Sequence, residues 1–155
     1  MLNFRKATID DVELFFNWAN DPLVRSNSYQ KEMIVYENHV NWFNNQINSG
    51  TNYFYVFLNE SNLPVGQVRI NKSKEDQAII GLMIDAKFRG NGFAKEMITK
   101  ASDDFLSVNG SFTILAYIFK MNKSSINSFT NANYKFLKEE IVNEIPSFIL
   151  YKNKQ

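Results

Sequence analysis

Ile84-Asp85-Ala86-Lys87-Phe88-Arg89-Gly90-Asn91-Gly92-Phe93-Ala94 is the stretch that decides the fold of this chain. An apolar run over residues 77–84 ends where it begins, and Met97, Ile98, Ala101 and Phe105 recur at helical spacing after it. The stretch therefore links a strand to a helix predicted over residues 94–106, and places that helix's N-terminus at the C-terminal edge of a sheet, where ligands favour binding. Two glycines let successive backbone N–H groups aim at one point. The helix start adds unpaired donors and a partial positive charge, and Lys87 and Arg89 add full ones. Such a turn suits a di- or polyphosphate. No Gly-Lys-Ser/Thr is present, so it is not a Walker loop. A dinucleotide fingerprint would need a third glycine position after a first strand and an acid at the end of the next. A glycine turn that only caps a helix is the plainer reading of the same residues.

Upstream, residues 2–7 alternate as a strand, and Thr8-Ile9-Asp10-Asp11 has the form of a capping box. A helix should follow with Val12, Phe15, Phe16 and Ala19 inward, stopped or kinked at Asn20-Asp21-Pro22. Residues 23–34 are polar and irregular. Val40, Phe43 and Ile47 mark a helix over 36–47, ended by Asn48-Ser49-Gly50. Strands follow at 53–58 and 65–71, with a charged turn at 72–76. Downstream, 112–119 is a nearly continuous apolar strand, as expected of one buried on both faces. A short helix over 124–132 leads to final strands at 134–141 and 148–151 around Pro146. This order predicts an α/β (α+β) class, with residues 1–155 as one domain built on one mixed sheet.

The 155 residues are 45% hydrophobic, enough for a real core. Seventeen basic against sixteen acidic residues leave a net charge of +1, which argues against a nucleic-acid binder. The absence of cysteine excludes disulfides, thiolate zinc sites and thiol nucleophiles, and with His39 the single histidine no multi-histidine metal site is expected. The first residues lack the apolar core and cleavage site of a signal peptide, and no apolar run approaches the ~20 residues of a membrane span. A cytoplasmic protein without a membrane partner is expected.

The segment 82–94 resembles motif A of the GNAT acetyltransferases, whose loop reads Gln/Arg-x-x-Gly-x-Gly/Ala; Arg89, Gly92 and Ala94 occupy those three positions. Asn122-Lys123-Ser124-Ser125-Ile126 resembles the family's motif B, and the order of elements matches over nearly the whole chain. The resemblance implies a mixed, mostly antiparallel seven-stranded sheet flanked by about four helices and splayed at its fourth and fifth strands, with acetyl-CoA as co-substrate. Arg89 and the backbone of Gly90, Asn91, Gly92, Phe93, Ala94 and Lys95 would hold the pyrophosphate. Leu82, Met83 and Ile84 would border pantetheine, with the Leu82 N–H facing the thioester carbonyl where charge develops. Asn122, Ser125 and Phe129 would complete the cofactor wall, although Asn122 reads equally as a helix N-cap.

The N-terminal half, from Asn17-Trp18-Ala19-Asn20-Asp21-Pro22 to His39-Val40-Asn41-Trp42-Phe43, looks like a GNAT subgroup that acts on nucleotide-linked amino sugars, acetylating the 4-amino group of a UDP-linked sugar in pseudaminic acid biosynthesis. Ribosomal-protein N-terminal acetyltransferases share its Trp-x-x-Asp-Pro-x-Val style. The expected acceptor is thus a UDP-amino sugar; the alternatives are a protein N-terminus or other small amine, or a non-catalytic acyl-CoA-binding module. Arg25 would pair with the nucleotide diphosphate, and Asn27 and Ser28 would flank it. Gln67 and Arg69 share a strand face and would line the cleft. Trp18 and Trp42 read better as core than as stacking platforms. An alkylamine of pKa ~10 is helped by a base at neutral pH; His39 is first, Glu32 second. Many GNAT enzymes carry a Tyr in the motif-B helix where this chain has Phe129, which cannot donate a proton, so Tyr117 or water would protonate the thiolate. Asn133 stands where a glycine commonly ends that helix and tolerates the left-handed conformation. A homodimer through the final strands is expected by analogy.

Overall fold

In a computed structural model describing residues 1–155, the expected strands assemble into one seven-stranded sheet. The elements are β1 (Asn3–Lys6), α1 (Val12–Ala19), α2 (Pro22–Ser26), α3 (Tyr36–Asn48), β2 (Asn52–Leu58), β3 (Pro64–Lys74), β4 (Gln77–Ile84), α4 (Phe93–Val108), β5 (Thr113–Phe119), α5 (Lys123–Asn131), β6 (Lys135–Val142) and β7 (Ile145–Asn153). The order across the sheet is β1-β2-β3-β4-β5-β7-β6, and β4–β5 is its one parallel pair. The fold is therefore α/β with a mixed, mostly antiparallel sheet.

Alternation along the strands sorts the aromatic residues onto two faces. Tyr55 and Phe57 of β2 join Met97, Ile98 and Phe105 of α4 on one side. Phe54 and Val56 join Phe15, Trp18 and Phe43 of α1 and α3 on the other. The β4–β5 ladder runs from Gln77↔Thr113 to Ile79↔Leu115 and stops, while β5 stays paired with β7 as far as Phe119↔Ser147. Past Ile79, β4 has a bare edge facing a gap.

Some expectations need correction. Five helices flank the sheet rather than about four, because Asp21-Pro22 both ends α1 and starts α2: the Asp21 carboxylate accepts from the N–H of Leu23 (3.0 Å) and Val24 (3.2 Å), with Pro22 at the first helical position. In α1 Trp18 is the inward residue and Phe16 is half-buried against Tyr36 and His39. The capping box does form, with Asp11 accepting the Thr8 N–H at 2.8 Å, but it opens a short 3-10 turn over Ile9–Asp11 before α1. β3 runs on through the expected charged turn to Lys74, leaving Glu75 and Asp76 to make the bend. Pro146 lies within β7, because Asn143 and Glu144, both at positive φ, turn the chain in two residues. Asn133 is left-handed, with φ 68°.

Candidate functional site

Where β4 leaves β5, a cleft of about 1010 Å³ opens, walled by Leu82, Ile84, the start of α4, Ala116 to Phe119, α5, and the segment from α2 to Ile34. The Asp85 N–H donates to the Val65 carbonyl of β3 at 2.8 Å. Backbone groups of an antiparallel strand alternate sides, so Met83 and Gly81 also face β3, and Leu82 and Ile84 face the gap. The Ile84 carbonyl accordingly accepts from Arg89 Nε at 3.2 Å. The Leu82 N–H has no strand beside it.

The Arg89–Ala94 turn holds both of its glycines in the left-handed region. Gly90 and Gly92 take φ of 79° and 73°, which a side chain resists. Gly92 is the N-cap of α4 and has no side chain to satisfy the helix's first donors. The N–H groups of Gly90, Asn91 and Gly92 meet no backbone acceptor. Arg89, Gly90, Gly92, Phe93 and Ala94 line the cleft, whereas Asn91 and Lys95 lie outside its wall. The Asn91 side chain instead staples the turn by donating to the Phe88 carbonyl at 3.0 Å.

Two contacts tie this turn to the N-terminal helices. Trp18, buried, donates its indole N–H to Asp85 at 2.9 Å, and Asp85 also caps the Lys87 N–H at 2.9 Å. Arg89 pairs with Asp21 at 2.7 Å. Burial opposes ionisation of Asp21, but the Arg89 bond and the N–H groups of Val24 and Leu23 outweigh it and hold its pKa below the usual carboxylate range. Arg89 thus braces the turn as well as charging it, with two of the five N–H groups of a guanidinium engaged.

At the cleft's other end Asn122 caps α5, accepting the Ser125 N–H at 3.2 Å, and Ser125 and Phe129 line the wall with it. Phe129 is buried, its ring edge-on to Tyr134 at 5.0 Å. Tyr117 lines the cleft. So does Tyr29, which sequence reasoning missed: its ring meets Phe119 at 4.9 Å and its hydroxyl meets Ser147 Oγ at 2.7 Å. Ser147 donates to the Ile145 carbonyl, so Tyr29 is the donor to Ser147. Burial raises the Tyr29 pKa, keeping it protonated.

A side cavity of about 270 Å³ lies between the sheet and α1 and α3, sharing Arg25, Gln30, Ile34, Arg69 and Met83 with the main cleft. Arg25 is largely engaged by the protein itself. Its guanidinium donates to the carbonyls of Ala19 (2.6 Å), Gln30 (2.9 Å) and Glu32 (3.4 Å) and to Ser28 Oγ (3.3 Å), leaving one N–H of five. It shapes the wall that carries Asn27 and Ser28. Gln67 is 1% exposed and its Oε1 has no partner; Arg69 Nε has none either. Burial, then the charge of Arg25, pushes the Arg69 pKa down to about 10, so it stays cationic at neutral pH.

His39 is buried among Phe16, Trp42 and Phe43, on the wall of the side cavity. Its Nε2 lies 2.9 Å from the Val12 carbonyl, which can only accept, so Nε2 carries the proton and the neutral ring keeps its lone pair on Nδ1. Burial pushes its pKa below the ordinary 6.5, although the Val12 bond opposes the shift. Glu32, the second expected base, is exposed and lines neither cavity; its carbonyl, not its carboxylate, engages Arg25. No carboxylate lines either cavity.

A family model described as the acetyltransferase (GNAT) domain matches residues 1–135. The chain is 26% identical over 141 residues to acetyltransferase PseH of Campylobacter jejuni, covering 89% of this chain and 85% of that protein. It is 28% identical over 144 residues to an uncharacterized protein of Methanocaldococcus jannaschii, covering 90% of this chain but 29% of that protein. A crystal structure of spermidine N-acetyltransferase from Vibrio cholerae, in complex with CoA and spermine, superposes with a TM-score of 0.88 at 14% identity, over 97% of this chain and 94% of that one.

Proposed function

The chain belongs to the GNAT acetyltransferase family, whose members use acetyl-CoA, and on that premise we propose that it acetylates the primary amine of a nucleotide-linked amino sugar, the 4-amino group of a UDP-linked amino-deoxy sugar. The residues present fit acetyl-CoA. Gly90, Gly92 and the uncapped start of α4 offer a diphosphate N–H donors that no backbone acceptor takes up. The bare edge of β4 at Leu82 and Ile84 offers backbone partners to an amide-bearing arm. Acetyl-CoA supplies the activated acyl group. Leu82 would donate its N–H to the acyl oxygen as charge grows there. His39, neutral at pH 7, would take up the amine proton at Nδ1, and Tyr117 would protonate the departing sulfur.

One observation carries the choice of acceptor: Arg25 and Arg69 line both cavities and no carboxylate lines either. A diphosphate-bearing acceptor meets attraction there, and a polycation such as the spermine of the Vibrio complex meets repulsion. The resemblance of residues 17–43 to amino-sugar enzymes supports the same reading. The test is thiol release from acetyl-CoA against UDP-linked 4-amino sugars, peptides with free N-termini and polyamines. Turnover with a UDP-amino sugar at the highest kcat/KM is expected; preference for a polyamine or a peptide overturns it. Phe129 favours a second reading, binding without transfer, which predicts CoA binding and no thiol release with any acceptor.

A further inference from the structure

Between α1 and α3 the chain leaves the body of the protein and returns to it. Asn20 closes this excursion at its base: its carboxamide donates to the Ile34 carbonyl at 2.9 Å and accepts the Ile34 N–H at 2.7 Å. Inside, the Arg25 guanidinium donates to the Gln30 and Glu32 carbonyls and to Ser28 Oγ, so α2 and the residues after it are held to one another. Ends this close, with the interior packed by the segment's own side chains, make an Ω-type loop. Its hold on the rest of the molecule is slight. No residue from 20 to 34 is buried or belongs to either hydrophobic core. No backbone hydrogen bond joins residues 22–34 to the sheet. A segment with so few buried apolar contacts opens at low cost.

Side chains fasten the loop at two places. At its base Asp21 pairs with Arg89 at 2.7 Å. At its far end Tyr29 reaches the opposite wall of the cleft, where its ring meets Phe119 of β5 edge-on at 4.9 Å and its hydroxyl donates to Ser147 Oγ of β7 at 2.7 Å. The Lys31 ammonium lies 5.5 Å from the same Phe119 ring. We propose that Tyr29 is a positioning residue: it latches residues 21–33 shut against β5 and β7 as one body hinged at Asn20 and Ile34, and so sets the acceptor's wall against the gap beside β4. This rests on the acceptor side of the cleft as read above, and adds that its wall moves. The acceptor enters and the product leaves while the latch is open, and closure shields the reacting groups from water.

The chain has no cysteine, so nitroxide labels at Ser26→Cys on the loop and Lys138→Cys on β6, both exposed, report the distance across the mouth by pulsed EPR. One short distance is expected in the labelled parent. A second, longer one should appear in Tyr29→Phe, which keeps the ring and loses the hydroxyl, and should dominate in Tyr29→Ala. Loss of one neutral hydrogen bond shifts such an equilibrium about two- to tenfold. Ser147→Ala should act like Tyr29→Phe, and the two together no more than either alone. A distance unchanged in Tyr29→Ala would make the segment a fixed wall and overturn the latch. So would loss of hydrogen-exchange protection in that variant at Arg25, Asn27 and Ser28, whose N–H groups bond within the loop, since the loop would then unfold rather than move whole. Turnover gives a readout that a merely structural role would not move. With a UDP-linked 4-amino sugar, the acceptor KM of Tyr29→Phe should rise about two- to tenfold while the acetyl-CoA KM stays within about twofold; an unchanged acceptor KM, or an equal rise in both, overturns the proposal. If no UDP-amino sugar is acetylated, the acceptor assignment fails by itself, and the EPR distances still decide the latch.

Discussion

Replacing Leu82 by proline removes one N–H and tests whether it serves the reaction. In most strands that change breaks a ladder hydrogen bond. Here the Asp85–Val65 bond sets the phase of β4 so that Leu82 points away from β3, into the stretch where β5 has departed. No ladder bond is lost. The preceding residue is Gly81, already extended and without a Cβ to clash with the proline ring. The cost to folding is then the φ constraint and some packing of a half-buried side chain, about 1–2 kcal/mol, or roughly 2–8 °C in Tm. The cost to catalysis should be far larger. Loss of a single donor to a developing oxyanion typically lowers kcat by ~10²–10³, or ~2.7–4 kcal/mol. Stopped-flow or steady-state thiol release gives kcat, calorimetry gives the CoA Kd, and Leu82→Ala, which keeps the N–H, controls for the side chain. The expected result is a fall in kcat of at least a hundredfold for proline, little change for alanine, and CoA affinity within about threefold for both. A proline variant that folds, binds CoA and keeps kcat within fivefold of the parent would refute the reasoning.

Arg89→Glu should weaken CoA binding about a hundredfold, ~3 kcal/mol, and also lower Tm by about 2–4 °C for each kcal/mol lost with the Asp21 pair; calorimetry and a thermal melt read both, and unchanged CoA affinity would contradict the placement of the diphosphate. Arg69→Leu should raise the acceptor KM at least tenfold while Tm holds or rises, because a buried charge without a carboxylate partner is removed; an unchanged KM would put the acceptor elsewhere. His39 should make stability and activity pH-dependent in a set direction. Its folded pKa lies below 6.5, so the unfolded chain binds the proton first as pH falls: its contribution is full above about 6.5 and is lost toward and through the lower folded value. Urea midpoints at pH 7.5 and 5.5 should differ more for the parent than for His39→Gln, and kcat/KM should fall on the acid side with a midpoint below 6.5.

The parts legible in the sequence were those whose signal is local. The β4–turn–α4 unit announces itself by two glycines between an apolar run and a helical period, and Leu82 and Ile84 are singled out only by the resemblance to motif A. Period-two alternation was enough to put Gln67 and Arg69 on one face. It could not show that they lack partners, since that depends on α1 and α3 closing over them. Helix α2, at five residues, is too short to display a period. The Trp18–Asp85 bond joins residues 67 apart and the Tyr29–Ser147 bond residues 118 apart, so neither leaves a trace in any local pattern. The charge of Arg25 is visible in the sequence, whereas its donors are taken up by carbonyls that meet only once residues 27–34 have folded back.

The diphosphate site itself can be observed directly by following backbone amides in a ¹⁵N-labelled sample as CoA is added. The peaks of Gly90, Gly92, Phe93 and Ala94 should move the most, downfield as their N–H groups gain charged acceptors, and inorganic pyrophosphate alone should move the same four in the same direction. If those amides stay in place while CoA binds, or if the largest shifts lie away from the start of α4, the turn does not hold the diphosphate.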